Sequence, residues 1–394
     1  MAIPISYNIR NLKMRKGLTI MTALGIALTV TTVVFLMALL AGLKQAFVTS
    51  GDPLNVLVLR KGSNAELSGG FDAALFPTLK NLPGIAKDSK GEPMASGEWV
   101  VVIVLPRRDG TGEVNVTVRG MMEDGLEMRQ LPADKPKVKL EPGGRWFRPG
   151  QREVVVSSSI HRRFARTNVG DTIQFGKGPW QVVGIFDAGG SAYESEIWGD
   201  VNQMASDFDR QGAFASAYLR GMDPAAANAL KNAVSDDQRL KLDGMLETDY
   251  YAKQTNSGGP IKVVGYMVGF IMGIGSIFAA MNTMYAAVAY RSREIATLRV
   301  IGFSKPSILT SFVFESLLIS FLGAVVGIVL MLPFNGMSTG TSNAVTFSEV
   351  VFGLRMTPAV IGYAFVFALV MGFFGGLAPA WHAARQNILT ALRG

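Results

Sequence analysis

Cysteine is absent from the 394 residues, which excludes disulfides, a thiol nucleophile and any thiolate metal site. Histidine is almost as scarce. His161 and His382 are the only two, and the topology argued below sets them on opposite sides of a bilayer. No histidine pair can then share a metal, and Ser-His-Asp chemistry is nearly excluded. A phosphate-binding loop is missing too: Gly170 to Lys177 is superficially like one, but the spacing is wrong and Gly178 stands where Ser or Thr is required. The sequence therefore predicts no catalytic, cofactor-binding or metal-binding residues in this chain. If ATP drives it, a partner binds the ATP.

Charge is thin as well. Charged residues make up 17% and apolar ones 49%, with mean hydropathy +0.28, against about 25% charged in an ordinary soluble domain. What is present in place of charge is a set of long apolar runs. Leu18 to Leu43, Val263 to Tyr290 and Met356 to Trp381 carry no charge, and Pro306 to Pro333 carries only Glu315. Each exceeds the roughly 20 residues a helix needs to cross a bilayer.

The net charge of +8 could suggest a nucleic-acid partner, so its location matters. The block 44–260 holds 26 Lys and Arg against 27 Asp and Glu. The excess lies in Arg10, Lys13, Arg15, Lys16, Arg291, Arg293, Arg299, Lys305, Arg385 and Arg393, opposed there only by Glu294. Basic residues confined to short segments flanking apolar runs follow the positive-inside rule and do not form a nucleic-acid surface. The reading is a multi-pass membrane protein with both termini cytoplasmic. Its expected parts are a cytoplasmic amphipathic helix 1–17, spans 18–43, 261–290, 306–333 and 356–381, an extracytoplasmic domain 44–260, a cytoplasmic helix or loop 291–305, a short extracytoplasmic loop 334–355 and a cytoplasmic tail 382–394. The 26 uncharged residues of the first run exceed the 7–15 of a signal peptide, so it is read as an uncleaved anchor.

The fold class that follows is an α-helical membrane protein with four transmembrane helices, one plus three, and a large α+β domain between the first two. Asn55 to Arg60, Glu98 to Leu105, Glu113 to Arg119, Glu153 to Ser157, Asp171 to Phe175 and Gln181 to Phe186 read as strands. Phe71 to Leu82, Ser159 to Arg166 and Asp223 to Val234 read as helices, the last opened by an Asp-Pro cap. The domain is one body or two lobes, in the second case divided at the proline-rich segment Leu131 to Gly150.

Three features of the membrane half carry information. Gly265, Gly269 and Gly273 repeat every fourth residue, as do Gly323 and Gly327, a pattern that lets helices approach closely within the chain or across a dimer. Glu315 is costly in lipid and should face protein or water, with Asn282 as a candidate partner. Between the second and third runs, Ile295, Leu298 and Ile301 give an apolar edge on a short helix stopped by Gly302 and Pro306. Such an edge suits docking into a groove on a soluble partner, or it belongs to a plain basic loop.

Tyr285 to Gly302, with Arg291, Arg293-Glu294-Ile295, Leu298-Arg299 and Gly302, resembles the signature of FtsX-like permeases, the MacB-type (type VII) membrane subunits of ABC transporters. Glu315, Gly323 and Gly327 are similar to that family's third span, and Gly375-Gly376-Leu377-Ala378-Pro379-Ala380 to its tail. Val169 to Ile173 with Val182 to Phe186 resembles its periplasmic domain. The chain departs at Tyr290, Ala296, Val300 and Ile388, where Glu, Gly, Ala and Pro are usual. The resemblance implies a non-catalytic permease homodimer clasped by two copies of a separate ABC ATPase that binds ATP and magnesium. Arg291, Arg293, Glu294, Ile295, Leu298, Arg299, Gly302 and Phe303 would couple the two. It implies export or extraction of a substrate from the periplasm or outer leaflet, with a periplasmic adaptor (membrane fusion) protein and an outer-membrane duct as further partners in the macrolide-exporter branch. The alternative is mechanotransmission: a regulator that moves no substrate and switches an extracytoplasmic enzyme or signalling partner.

Overall fold

The computed structural model describes residues 16–131, 137–255, 259–343 and 347–386, together with Tyr7, Arg10, Leu12 and Met14. Most of the expected amphipathic helix 1–17 lies outside these residues, as do 132–136 of the proline-rich segment and the tail from residue 387. The chain divides into two compact units, one of residues 1–41, 260–337 and 354–394, the other of 42–259 and 338–353.

Helix α1 (Lys16–Ser50) has 35 residues, about 52 Å at 1.5 Å per residue. It outruns the apolar run that ends at Leu43 because Lys44, Gln45 and Ala46 are good helix formers and Ala46 and Phe47 are buried. The α/β domain follows. Its elements are β1 (Asn55–Arg60), β2 (Phe71–Asp72), α2 (Phe76–Lys80), β3 (Ala95–Pro106), β4 (Glu113–Met121), α3 (Glu123–Gln130), β5 (Lys139–Leu140), β6 (Glu153–Ser157) and α4 (Ser158–Arg163). Then come β7 (Thr172–Phe175), β8 (Gly178–Asp187), β9 (Glu196–Asp200), α5 (Val201–Asp207), β10 (Ala213–Phe214), β11 (Ser216–Arg220), α6 (Pro224–Asp236), β12 (Leu242–Leu246) and α7 (Glu247–Thr255).

Ten strands form one sheet in the order β12-β1-β11-β3-β4-β9-β6-β8-β5, with β7 beside β8. Strand β3 is the joint of this sheet. Ala95 to Glu98 pair with β11 and Trp99 to Pro106 with β4, so one 12-residue strand carries hydrogen bonding from one half to the other. A single apolar core runs under both halves, from Val56 and Leu219 to Val154 and Trp180. The two-lobe division at 131–150 is accordingly not found: 42–259 falls in one unit, and among its described residues that segment supplies only the edge strand β5.

Charge is buried at the joint. Arg119 of β4 spends all five N–H donors on carboxylates: Nε and Nη2 on Glu196, Nη1 and Nη2 on Glu66, and Nη1 also on Glu98, at 2.7–2.9 Å. Arg129 of α3 binds both oxygens of Glu98 at 2.7 and 2.9 Å and lies 4.7 Å from the centre of the Tyr218 ring.

The membrane unit comprises part of α1 with α8 (Gly259–Tyr290), α9 (Ser292–Val300), α10 (Lys305–Met331) and, after a hairpin, α11 (Pro358–Arg385). Four helices, α1, α8, α10 and α11, are long and apolar enough to cross a membrane among the described residues. The hairpin, β13 (Ser338–Ser342) paired with β14 (Glu349–Gly353), occupies the segment expected as a short loop and belongs to the α/β unit. Arg107 donates to its Glu349 at 2.9 Å, Arg163 grips the other oxygen of the same carboxylate, and Ser195 Oγ accepts from Val351 N at 2.7 Å.

Candidate functional site

A single residue, Arg291, separates the end of α8 from the start of α9. Arg291 is its N-cap residue, with φ −108° and ψ 14°, and the chain turns there from the second long helix into the short one. At the other end Gly302 N bonds Arg299 O and Phe303 N bonds Leu298 O, the paired bonds of a Schellman stop. Gly302 has φ +108°, a conformation open to glycine and strained for any other residue. Ser304 then stands at the N-cap position of α10, with Pro306 in its first turn.

Arg291 is buried, 6% exposed. Its Nη1 lies 2.9 Å from Glu315 Oε2 of α10 and its Nε 2.9 Å from Glu294 Oε2, while the guanidinium carbon sits 5.0 Å from the Phe312 ring centre and 5.5 Å from that of Tyr7. Glu315 thus meets a cation 24 positions upstream; Asn282, its expected neighbour, stands on an exposed face of α8. At the far end of α9, Arg299 Nη1 donates to Ala384 O near the end of α11 at 2.9 Å.

The expected apolar edge of α9 is divided. Successive steps of three residues fall about 60° short of a full turn of a helix, so Ile295 and Ile301 differ by about 120° around the axis. Ile295, 2% exposed, joins the bundle core and Leu298 is half-buried. Ile301 is 65% exposed, next to Val300 at 65%; Arg293, Glu294 and Gly302 are exposed and Phe303 is half-buried. The outward surface is therefore Arg293, Thr297, Val300 and Ile301, while Arg291, Ile295 and Ala296 fasten the helix inward.

The two glycine series behave differently. A Cβ at Gly323 would lie 2.8 Å from Ile26 Cγ2, and one at Gly327 would lie 2.7 Å from Ala27 O, so these glycines seat α10 against α1. Gly265 and Gly269 have no such neighbour, the nearest atoms being on Leu36 at 3.9 Å and Val33 at 3.6 Å. They edge a 350 Å³ apolar crevice shared with Phe270, Phe367 and Val370, while Gly273 meets the Phe367 ring at 3.2 Å. A further close contact escaped the sequence reading. Gly372 and Gly376 of α11 receive Ser316 and Ser320 of α10, and Ser316 Oγ donates to Gly372 O at 2.7 Å.

A four-helix membrane unit interrupted after its first helix by an α/β domain, with a short helix between the second and third, defines the class of ABC permease subunits in which the domain follows span one. The family models for the MacB-like periplasmic core domain and the FtsX-like permease C-terminal match residues 19–237 and 266–388, and the chain belongs to this FtsX-like, MacB-type ABC permease family. It is 26% identical over 402 residues to the uncharacterized ABC transporter permease YknZ of Bacillus subtilis, covering 95% of this chain and 94% of that one. It is 24% identical over 391 residues to the macrolide export ATP-binding/permease protein MacB of Brucella abortus, covering 95% of this chain and 57% of that protein's length. Among solved structures, the periplasmic region of MacB from Actinobacillus actinomycetemcomitans aligns at 14% identity with TM-score 0.37, covering 51% of this chain and 92% of that one.

Proposed function

We propose that this chain is a non-catalytic permease subunit that converts ATP binding and hydrolysis on a separate ABC ATPase, which holds the ATP and magnesium, into movement of its α/β domain. The observation that carries the reading is the division of labour on α9. One side is fixed to α10 and α11 through Arg291 and Arg299, while Arg293, Thr297, Val300 and Ile301 are left facing out. An exposed apolar pair with a basic neighbour at the end of a helix suits a groove on a soluble partner. In this reading α9 and both termini are cytoplasmic, the α/β domain with its hairpin is extracytoplasmic, and the work is export or extraction of a substrate from the periplasm or outer leaflet.

Two ATPase copies would serve a permease homodimer, for which the exposed face of α8 around Asn282 is one surface available. A periplasmic adaptor and an outer-membrane duct would complete an exporter. The test is capture of an ATPase subunit with the tagged chain from its own membranes. Ile301→Glu and Val300→Glu, both on exposed positions, are expected to lower the captured ATPase about tenfold or more, since a charge forced into an apolar contact costs on the order of 2 kcal/mol. Capture unchanged by either substitution would remove α9 from the interface.

A further inference from the structure

The ion pair between Arg291 and Glu315 has a geometry that a merely stabilising contact would not need. Exchange of a buried pair for apolar side chains is often neutral or favourable, and a carboxylate at membrane depth is costly to retain. Its position suggests what it is retained for. Arg291 is the residue at which the chain changes direction from α8 into α9. Its guanidinium is held from two sides by carboxylates on different elements, Glu294 of α9 itself and Glu315 of α10. Rings of Tyr7 and Phe312 lie beside it, which removes the freedom an exposed arginine keeps. A guanidinium bound in this way has a direction as well as a location, because its N–H donors are fixed in a planar fork.

The other end of α9 is fixed separately. Arg299 donates to Ala384 O, a carbonyl in the last turn of α11 that has no partner within its own helix. The head of the short helix is thus tied to α10 and its tail to α11. These two long helices are themselves locked by Ser316 against Gly372 and Gly376. With both ends fastened to one packed pair, α9 cannot tilt without moving α10 and α11.

We propose that Glu315 is a positioning residue: acting through Arg291, it sets the direction of α9 so that a push on the exposed face of that helix moves α10 and α11 as one body. The inference rests on the coupling role of α9 for its consequence, though its geometry can be measured without a partner.

The absence of cysteine makes the measurement clean. Spin labels are placed on single cysteines at Thr297, on the outward face of α9, and at Leu330, near the opposite end of α10, in the full chain in lipid nanodiscs, and the distance distribution is read by pulsed electron resonance. The unmodified pair of helices is expected to give one narrow distribution. Glu315→Gln keeps shape and removes charge; it should broaden the distribution at least about twofold, a loss of coupling between paired groups. The charge exchange Arg291→Glu with Glu315→Arg, made together with Glu294→Gln so that the new carboxylate meets no like charge, should narrow it again, which a side chain needed only to fill space would not do. A distribution as narrow in Glu315→Gln as in the parent overturns the proposal, as does failure of the exchange to narrow one that Glu315→Gln has broadened. Should Glu315→Gln not fold, the exchange variant decides alone: a narrow distribution supports the pair, a broad one overturns it.

The consequence is read on the ATPase subunit captured with the chain. Glu315→Gln should lower the permease-dependent part of hydrolysis about tenfold, within the usual span of coupling between sites, and leave the half-saturating ATP concentration unchanged. If no ATPase is captured with the parent chain, the coupling reading fails while the distance result still judges Glu315. If hydrolysis is stimulated equally by the parent and Glu315→Gln, and the distributions match, the positioning role fails and the coupling reading stands.

Discussion

Two buried carboxylates of the α/β domain show how the same residue type is set to opposite purposes. Burial pushes Glu66 up, but the charge and hydrogen bonds of Arg119 outweigh it and hold the group below the ordinary carboxylate range. Burial also pushes Glu247 up, and there the more distant Arg129 and the donors Tyr193, Asn55 and Asp52 N do not reverse it. A depressed carboxyl contributes stability above its unfolded pKa and loses it as pH falls through the folded value. A raised one contributes below its unfolded pKa and loses it as pH rises through the folded value. Glu66→Gln should therefore cost about 3–5 kcal/mol near neutral pH, since it leaves the Arg119 charge short of a partner. Glu247→Gln should cost less than about 1 kcal/mol, its amide oxygen taking the bonds from Asp52 N and Asn55 and its NH2 meeting Tyr193 Oη. It should also gain on the parent as pH is raised from the ordinary carboxylate range to neutrality and beyond, because the parent then has charge to bury. Thermal unfolding of the full chain across that range checks both, and an equal cost for the two substitutions would refute the assignment.

At the scale of elements, the spacing of small residues separates contacts that hold the bundle from those that do not. Gly327 faces a backbone oxygen, Ala27 O, which cannot swing aside, so Gly327→Ala should lower stability by about 1–3 kcal/mol. Gly269→Ala adds a methyl at an ordinary 3.6 Å from Val33 and should be nearly neutral. Melting temperature in one detergent, with the two variants side by side, reads the difference; parity between them would mean that α1 and α10 yield freely. Nothing in the sequence ranked these glycines, because both series show the same period. What was legible was local. The membrane helices announce themselves by length and hydropathy, β1 and β6 by compact Val-rich runs with turn residues at their edges, and α6 by Asp223, whose side chain accepts from Ala226 N. Phe71 to Leu82 reads as one helix, yet Asp72 ends a strand and caps a short turn before α2 begins. Strands β9 and β11 were missed because Glu196, Asp200 and Arg220 look like surface residues until their partners are known. The hairpin is hidden for the same reason: Ser-Thr-Gly-Thr-Ser has no apolar face, and Glu349 is buried by Arg107 and Arg163, nearly two hundred positions or more upstream. The apolar edge on α9 failed on helix geometry, and the partner of Glu315 lay across a turn that spacing cannot close.

For the whole molecule, the hairpin supplies a topological argument that owes nothing to charge counting. Because 338–353 belongs to the same folded unit as 42–259, both must lie on one side of the bilayer. The chain leaves that unit through α8 and returns to it after α10, two helices long and apolar enough to cross the membrane; if both cross, α9 lies on the opposite side. In the proposed topology one more crossing by α1 before the unit and one by α11 after it would put both termini with α9. The basic residues around α9 and the amino-terminal segment would make that side the cytoplasm. Charge alone gave the hairpin segment no vote, since Glu349 and Arg355 cancel. The prediction is sharp because the parent has no cysteine to report falsely. In intact spheroplasts a membrane-impermeant maleimide should label Thr111→Cys, on the exposed turn between β3 and β4, and Phe347→Cys, at the exposed tip of the hairpin. It should reach Arg293→Cys only after the membrane is opened. Labelling of Phe347→Cys and Arg293→Cys from the same side would mean that α10 does not cross, and a push on α9 would then have no path to the α/β domain through that helix.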